Sequence, residues 1–568
     1  MPAEIIFNFK KKIRKIYLNE FIEKYSNSLK DNFLLEVQNT GVQKVFRKRF
    51  RDFFQLNDYV NLWDLSHFNE KNIFKEDYIN DCLQYLAILK IIKKYDLNEV
   101  VLKNIDFEII KVLKKYNKKV HFKILIKKQK SYKDKLRSFF LANWFTSIIY
   151  FFKNNISIHQ KQNKVNLKNK NLIISYFCHY EKNFYKKPFF LSDHWHGLEK
   201  IIKKNFFYLN LFIASNKYKK YEILKNSLGQ KIENLQEKNF LDNYFDSINI
   251  FKIIVLSILY SYKFHFLYFI LRNKVEPKIP LLEISYKIQK RSFSGITCFE
   301  NLKSYYALKR FFTLNPNLKK CVYLMENQSW EKILLKFCYS KKIISYGYIH
   351  ATMPFWHLNY YQPKILNKKN LNLPTKILTV SKINLNLLIR QGINKKKLKL
   401  VEALRYDWLN KINRKKLSNR SNKILVFGDY NKSLNNHLLK LTLNFLNKKK
   451  DFFVYFKPHP GDITNYNLRN KRFKIIYNLP KKLNFKFYIF SNSTSASAEY
   501  THLSNNIAIF KPKLSINLSP FKDLKNSKKI FFSNEIELLN IINSKNNNKF
   551  KDFFYLNKDL TKWKQNIL

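Results

Sequence analysis

Two stretches near the carboxyl end decide the fold: FVYFKPHPGDITNY (453–466) and FKFYIFSNSTSASAEY (485–500). Each opens on a short apolar, aromatic run and breaks into turn-forming or hydroxyl-bearing residues, the pattern of a buried strand leaving a sheet. The same unit recurs around them, as KILVFGDY (423–430), FKIIYN (473–478) and NIAIFKP (506–512), with helical periodicity between and a closing helix near 535–543. Strands alternating with helices imply right-handed βαβ crossovers and a parallel sheet.

Further upstream the theme repeats. NLIISYF (171–177), FFYLNLFI (206–213), KCVYLM (320–325), KIISYGYI (342–349), TKILTVS (375–381) and KLKLVEA (397–403) read as strands, and NEVVLKN, FEIIKVLKKYN and VHFKILI (98–126) as strand, helix, strand. The polar linker NKKNLNLP (367–374) suggests a boundary. The expectation is an α/β chain of two Rossmann-like parallel-sheet domains facing a central cleft. Residues 1–371 form the first, with helical insertions at about 130–165 and 230–275, and residues 372–568 form the second.

Composition governs how much a single residue means. With 568 residues and 46% apolar content the chain can build real cores, which excludes a disordered polymer. Lys and Arg number 106 against 41 acidic residues, a net charge of +65. Such a charge suggests nucleic acid or an anionic membrane. However, the basic residues run evenly from end to end beside abundant Asn, Phe and Ile, as a strongly AT-biased genome would write them. Neither an Arg-rich stripe nor an RNA-binding module is visible, so no specific nucleic-acid partner is expected. Glycine is rare, eight in all, and several fall in the stretches singled out on other grounds. Five cysteines form no CxxC pair, which argues against structural zinc or a disulfide scaffold.

Targeting signals are sparse. MPAEIIFNFKKKIRK lacks an apolar h-region with a cleavage site, so the expected location is cytoplasmic, with peripheral contact at the inner face of the membrane as a further reading. Phe139–Phe152 is too short to span a bilayer, and Ile253–Leu271 carries Lys263 and His265 near its middle. Each reads as a core helix, with a surface-lying membrane helix as the alternative.

Ligands of open parallel sheets bind beyond the carboxyl ends of the strands. There, Lys457 and His459 stand in a turn braced by Pro458, Pro460 and Gly461, offering cationic or donor groups to a phosphate. Ser493, Thr494 and Ser495 open a helix in which Glu499 is placed to bind a ribose, and an N-cap alone needs only one hydroxyl. LSDHWHGL (191–198) has the look of a metal cluster, but His at i and i+2 diverge in regular structure. Acceptor recognition or a structural role suits it better, with Trp195 as a sugar-stacking ring. No GxGxxG, P-loop or convincing DxD motif is present, so neither a metal nor a cofactor is expected.

The pair KPHP (457–460) and SNSTSASAE (491–499) resembles motifs of GT-B glycosyltransferases that use CMP-activated sugars, such as bacterial sialyl-, polysialyl- and Kdo transferases, and of CDP-polyol phosphotransferases. YLMENQSWE (323–331), GYIH (347–350), FWHLNYY (355–361), VEALRY (401–406) and LVFGD (425–429) are similar to bacterial surface carbohydrate biosynthesis proteins. The resemblance implies a GT-B-like fold, with a nucleotide-sugar donor, CMP-linked by analogy, in the carboxyl-terminal domain and a glycan or lipid-linked glycan acceptor in the amino-terminal one. It implies donor contacts from Lys457, His459, Ser493, Thr494 and Ser495.

Inverting transfer needs a base across the cleft. Glu326, just after KCVYLM, is the first candidate and His350, after KIISYGYI, the second. The competing reading of Glu326 is a carboxylate favoured by a helix N-terminus, and the family's acidic-x-Gly pattern lacks its glycine in ENQ. Arg405 either neutralises leaving phosphate or pairs with Glu402 or Asp407. Gly428 and Asp429 contact the donor through a loop or cap a helix. Two rivals stand beside glycosyl transfer: polyol-phosphate transfer on the same fold, and a basic protein that binds nucleic acid or membrane.

Overall fold

The computed structural model describes residues 2–74, 77–128, 148–149, 171–177, 192, 194–202, 206–212, 238–246, 248–274, 278–361, 372–411, 421–462, 464, 466, 470–479, 485–524, 527–544, 550 and 553–568. The chain begins with a hairpin, β1 (Glu4–Phe9) and β2 (Lys12–Tyr17), and then a short one, β3 (Lys44–Val45) and β4 (Lys48–Arg49). β5 (Glu99–Asp106) and β6 (His121–Lys128) follow, parallel to each other across the helix Phe107–Tyr116. The strand, helix, strand reading of 98–126 therefore holds. It belongs, however, to a separate mixed sheet of order β2-β1-β5-β6, in which β1 runs antiparallel to both neighbours.

The next seven strands make one parallel sheet. β7 (Asn171–Tyr176), β8 (Phe206–Leu211), β9 (Lys238–Phe240), β10 (Lys320–Leu324), β11 (Ile344–Ile349), β12 (Lys376–Thr379) and β13 (Leu398–Leu400) lie in the order β13-β12-β11-β10-β7-β8-β9. β14 (Lys423–Phe427), β15 (Phe453–Lys457), β16 (Phe473–Ile475), β17 (Phe487–Ser491), β18 (Ile507–Phe510) and β19 (Phe531–Phe532) make a second, β16-β15-β14-β17-β18-β19, also wholly parallel. Near-continuous burial of strands such as β7, β8, β17 and β18 is what helices on both faces require. Both sheets have the expected α/β, Rossmann-like organisation. Counted within each sheet, the first six strands lie in the order 3-2-1-4-5-6, which reverses between strands 1 and 4 and opens a crevice there. The crevices lie between β7 and β10 and between β14 and β17.

The boundary falls elsewhere than at 371/372. β12 pairs with β11 (Tyr348↔Leu378) and β13 with β12 (Leu378↔Lys399), so the chain changes sheet between 400 and 423. NKKNLNLP ends a crossover within one sheet, with Pro374 against Gly347. The carboxyl terminus also returns to that sheet. Tyr555 N–H donates to Val380 O (2.7 Å), and Ala403 N–H to Tyr555 O (2.9 Å). The buried Glu402 carboxylate accepts the N–H groups of Lys562 (2.9 Å) and Trp563 (3.1 Å) at the start of the helix Thr561–Ile567. Trp563 is fully buried, and truncating it is expected to cost about 3–5 kcal/mol. Of the expected insertions, 130–165 lies outside the described residues apart from 148–149, as does most of Phe139–Phe152. The second contains the helix Ile248–Asn273.

Candidate active site

At the exit of β10 the chain turns through Met325, Glu326 and Asn327, with Asn327 in the left-handed region (φ 57°), before the helix Ser329–Ser340. Glu331 holds this turn. Its fully buried carboxylate accepts the N–H of Glu326 (3.0 Å) and of Asn327 (2.8 Å), and burial, with the nearby Glu326 charge, pushes its pKa well above the ordinary range. Asn359 Nδ2 donates to Glu326 O (2.5 Å), and Tyr360 Oη to Met325 O (2.8 Å). The FWHLNYY run is thus a brace behind the turn.

The N–H groups of that turn go to Glu331 and not to the Glu326 carboxylate. The helix-terminus role that competed for Glu326 is filled by Glu331. Glu326 takes a hydrogen bond from Gln328 Nε2 (2.5 Å) and stands 3.9 Å from His350 Nε2, at the exit of β11. A third of its side chain is exposed (33%), whereas His350 retains 8%. His194 meets His350 edge to face, ring centroids 4.6 Å apart. From HWHG, then, His194 joins the two candidates, while Trp195 goes into the core: buried, its Nε1 donating to Ser175 Oγ (2.9 Å), its ring against Tyr348. Trp195 is therefore not available to stack on a sugar. Asp193 lies outside the described residues. Among the described residues no group of three or more His, Cys, Asp or Glu side chains is placed to hold a metal ion.

In the second sheet, the exits of β14, β15 and β17 are tied together at the crevice. Asp429, buried, accepts hydrogen bonds from Ser491 Oγ (2.6 Å), Ser493 Oγ and Asn431 N–H (3.0 Å). Asn435, from the helix Lys432–Lys448, accepts Asp429 N–H (2.6 Å) and donates to Asp429 O and the Asp462 carboxylate (both 2.7 Å). Gly428 is required here, since a Cβ would lie 2.8 Å from both Asn435 Oδ1 and Phe456 Cζ. Gly428 N–H donates to Lys457 O (2.9 Å), which locks β14 to the KPHP turn.

Around this frame stand the groups left for a ligand. Gly461 N–H donates to His459 Nδ1 (3.0 Å). Partial loss of solvent lowers the His459 pKa, so the ring is neutral with its proton on Nε2, a donor at a known place. Gly461 lies outside the left-handed region, and its value is the close approach of that imidazole. Desolvation also lowers the pKa of Lys457 and raises that of Glu499 to about 7, the attraction of Arg405 and Lys457 notwithstanding. Arg405, which follows β13, thus interacts with Glu499 across the two sheets. Glu402 is spent on the carboxyl-terminal helix, and Arg405 also stands over the Tyr406 ring, 5.6 Å from its centroid.

No family model matches the chain, and no curated protein matches it. Solved structures do. UDP-GlcNAc 2-epimerase of Methanocaldococcus jannaschii shares 12% identity over 69% of this chain and 97% of its own, TM-score 0.37. The Neisseria meningitidis UDP-GlcNAc 2-epimerase bound to UDP-GlcNAc shares 12% over 66% and 89%, TM-score 0.33. Phytolacca americana UGT2, complexed with UDP-2fluoro-glucose and pterostilbene, shares 9% over 66% and 89%, TM-score 0.31. Identity this low transfers no residue role.

The hydroxyl loop differs in detail from expectation. A hydroxyl carries one proton, and Ser493 gives its proton to Asp429, so toward a phosphate it presents only an acceptor. Thr494 Oγ1 accepts weakly from Ala496 N–H (3.4 Å), and Ser495 makes no side-chain cap. The following helix is only Ala496–Tyr500, too short for a strong dipole. Donors for an anion are therefore Thr494, Ser495, His459 and Lys457. Asn435 and Ser491 lie outside the expected site residues; the polar cluster DYNKSLNN after β14 is the signal for Asn435, and the head of SNSTSASAE the signal for Ser491.

Proposed function

We propose that the chain is a glycosyltransferase that moves a sugar from a nucleotide-sugar donor, gripped at the second parallel sheet, to an acceptor hydroxyl at the first. The observation that carries this reading is the division of labour at the β14/β17 crevice. There the buried acid Asp429 is consumed in tying loops together, burial pushes Glu499 toward its neutral form, and the groups left open are the neutral His459 donor, Lys457 and the Thr494 and Ser495 hydroxyls. Such a set fits an anion. In the step, the acceptor oxygen bonds to the anomeric carbon as the bond from that carbon to the nucleotide phosphate breaks. The acceptor proton passes to Glu326, with His350 beside it. The leaving phosphate meets His459 Nε2–H, Lys457 and Arg405, which supply the charge stabilisation from the chain itself. Attack opposite the leaving phosphate gives inversion. A CMP-linked donor and a surface-glycan acceptor follow the motif resemblance.

Calorimetric titration with CMP, CDP, UDP and GDP tests it. Selective binding that weakens about tenfold or more in His459→Ala is expected. CMP or CDP preference would support the sialyl-, Kdo- or polyol-type donor. UDP preference would keep the enzyme class and discard the CMP analogy. Failure of every nucleotide, or equal affinity in His459→Ala, sinks the site.

A further inference from the structure

The helix Ile248–Asn273 is apolar on two opposite faces. On one, Tyr260, Phe264 and Tyr268 are buried: Phe264 stacks on Phe293 (4.6 Å), Tyr268 on Tyr286 (4.2 Å), and Tyr260 Oη donates to Gln55 O (2.8 Å). On the other, Phe251, Val255, Leu259, Tyr262, Phe266 and Phe269 recur every third or fourth residue, so they form one stripe along the helix. All six are exposed, Phe251 by 74% and Tyr262 by 72%. A contiguous stripe of this kind on a soluble surface marks an interaction site.

A second element extends the stripe. The turn between β3 and β4 places Phe46 (φ 47°) and Arg47 (φ 65°) in the left-handed region, where Asn and Gly are the comfortable residues. Strained backbone thus projects the Phe46 ring, 67% exposed, to stack on Phe266 (6.3 Å, 20°). Basic residues flank the stripe, and the acids nearest in sequence, Asp52 and Asp246, are paired with Arg49 and Arg310. No Asp or Glu occurs in the 26 residues of the helix, and Lys252 and Lys263 are exposed beside the stripe, as are Lys44, Arg47 and Lys48 around Phe46.

We infer that this stripe and hairpin tip are an interfacial docking surface for an anionic lipid bilayer, the helix lying in the membrane plane. By length and composition alone the helix could cross a membrane, but its other face is committed to the core. A helix bound on one face to protein and open on the other with aromatic side chains and flanking cations meets the requirements of an in-plane membrane helix. The excess of basic residues around the stripe selects an anionic surface over a neutral one. The core-helix reading of Ile253–Leu271 is thus half of the answer. This inference stands apart from the glycosyl-transfer reading, since it uses none of the crevice residues.

Flotation of the full-length chain with phosphatidylcholine vesicles, with and without phosphatidylglycerol, tests it. Binding is expected only with phosphatidylglycerol and weakens with added salt. The double variant Phe251→Asp/Phe266→Asp is expected to lose binding by about tenfold or more, with an unchanged unfolding temperature because both side chains are exposed. If that variant misfolds, Lys252→Glu/Lys263→Glu carries the same test through the rim. Undiminished flotation of a folded variant, or no flotation of the parent chain, overturns the inference. So does a concentration-dependent dimer, seen by sedimentation, that the double variant dissolves, because the stripe would then be covered by a second copy. Nucleotide titration of the same variant is expected to match the parent, which separates this outcome from failure of the crevice.

Discussion

The two crevices use their acids in opposite ways. Between β7 and β10 a buried acid, Glu331, braces the turn, and a second, Glu326, is left facing solvent beside His350. Between β14 and β17 one buried acid, Asp429, is itself the brace, a second, Glu499, is pushed toward its neutral form by burial, and the other open groups are neutral or cationic. A group spent on backbone N–H and hydroxyl donors has little left to offer a substrate, so the solvent-facing group identifies the chemistry. A part-exposed carboxylate beside an imidazole suits proton acceptance, and N–H, O–H and ammonium groups suit an anion. Similar topology thus yields one crevice fit to accept a proton and another fit to hold a phosphate.

If the comparison is right, Glu326 and Glu331 respond oppositely to substitution. Glu326→Gln is expected to lower transfer about 100-fold or more while moving the unfolding midpoint by less than about 0.5 kcal/mol, as rate assays and denaturant titration would read. Glu331→Ala is expected to cost roughly 3 kcal/mol, because two buried N–H groups lose their acceptor. Asp429→Ala should behave like Glu331→Ala, at about 3 kcal/mol, for the same reason. A stable Asp429→Ala that merely fails to bind nucleotide would break the comparison, since Asp429 would then be a ligand group. Next in size, His459→Ala is expected to weaken nucleotide binding by about tenfold to a hundredfold, with stability unchanged.

How much of this was legible follows the kind of interaction. β10, β11, β14, β15 and β17 are apolar runs ending abruptly in polar residues, and burial writes that pattern directly; Glu326, His350 and Asp429 are visible as residues that follow, and Lys457 as the last of its strand. β2 (KIRKIY) is exposed along most of its length and offers no apolar run to read. The boundary was misplaced because pairing of β12 with β11 is a long-range event that the intervening polar linker disguises. The role of His194 is not legible from spacing, since only tertiary folding brings it onto His350. Ser493 looked like a phosphate ligand because a hydroxyl's partner cannot be read from spacing. In the helix Ile248–Asn273 apolar composition was plain, but which apolar face is covered depends on neighbours distant in sequence.

Glu499 gives the finest test of the contrast, because it is a second acid at the β14/β17 crevice. Its pKa of about 7 means that the folded chain holds this proton more tightly than the unfolded chain does, chiefly through desolvation. The stabilisation from that proton is fully present below the ordinary carboxylate range near 4.5 and is lost as pH rises through 7. Gln mimics the protonated form. Relative to the parent, Glu499→Gln is therefore expected to be unchanged near pH 4 and more stable near pH 8, by ~1–3 kcal/mol once partial exposure is discounted. Unfolding midpoints measured across that range decide the matter. A Glu499→Gln chain that is weaker at every pH would show Glu499 to be a brace like Asp429, held by Arg405 and Lys457. The predicted rise at high pH instead makes it a strained spare acid, one whose charge becomes easier to hold when Lys457 and Arg405 are near and harder when a bound phosphate competes for them. Nucleotide affinity would then increase as pH falls below 7, with Glu499→Gln removing that dependence.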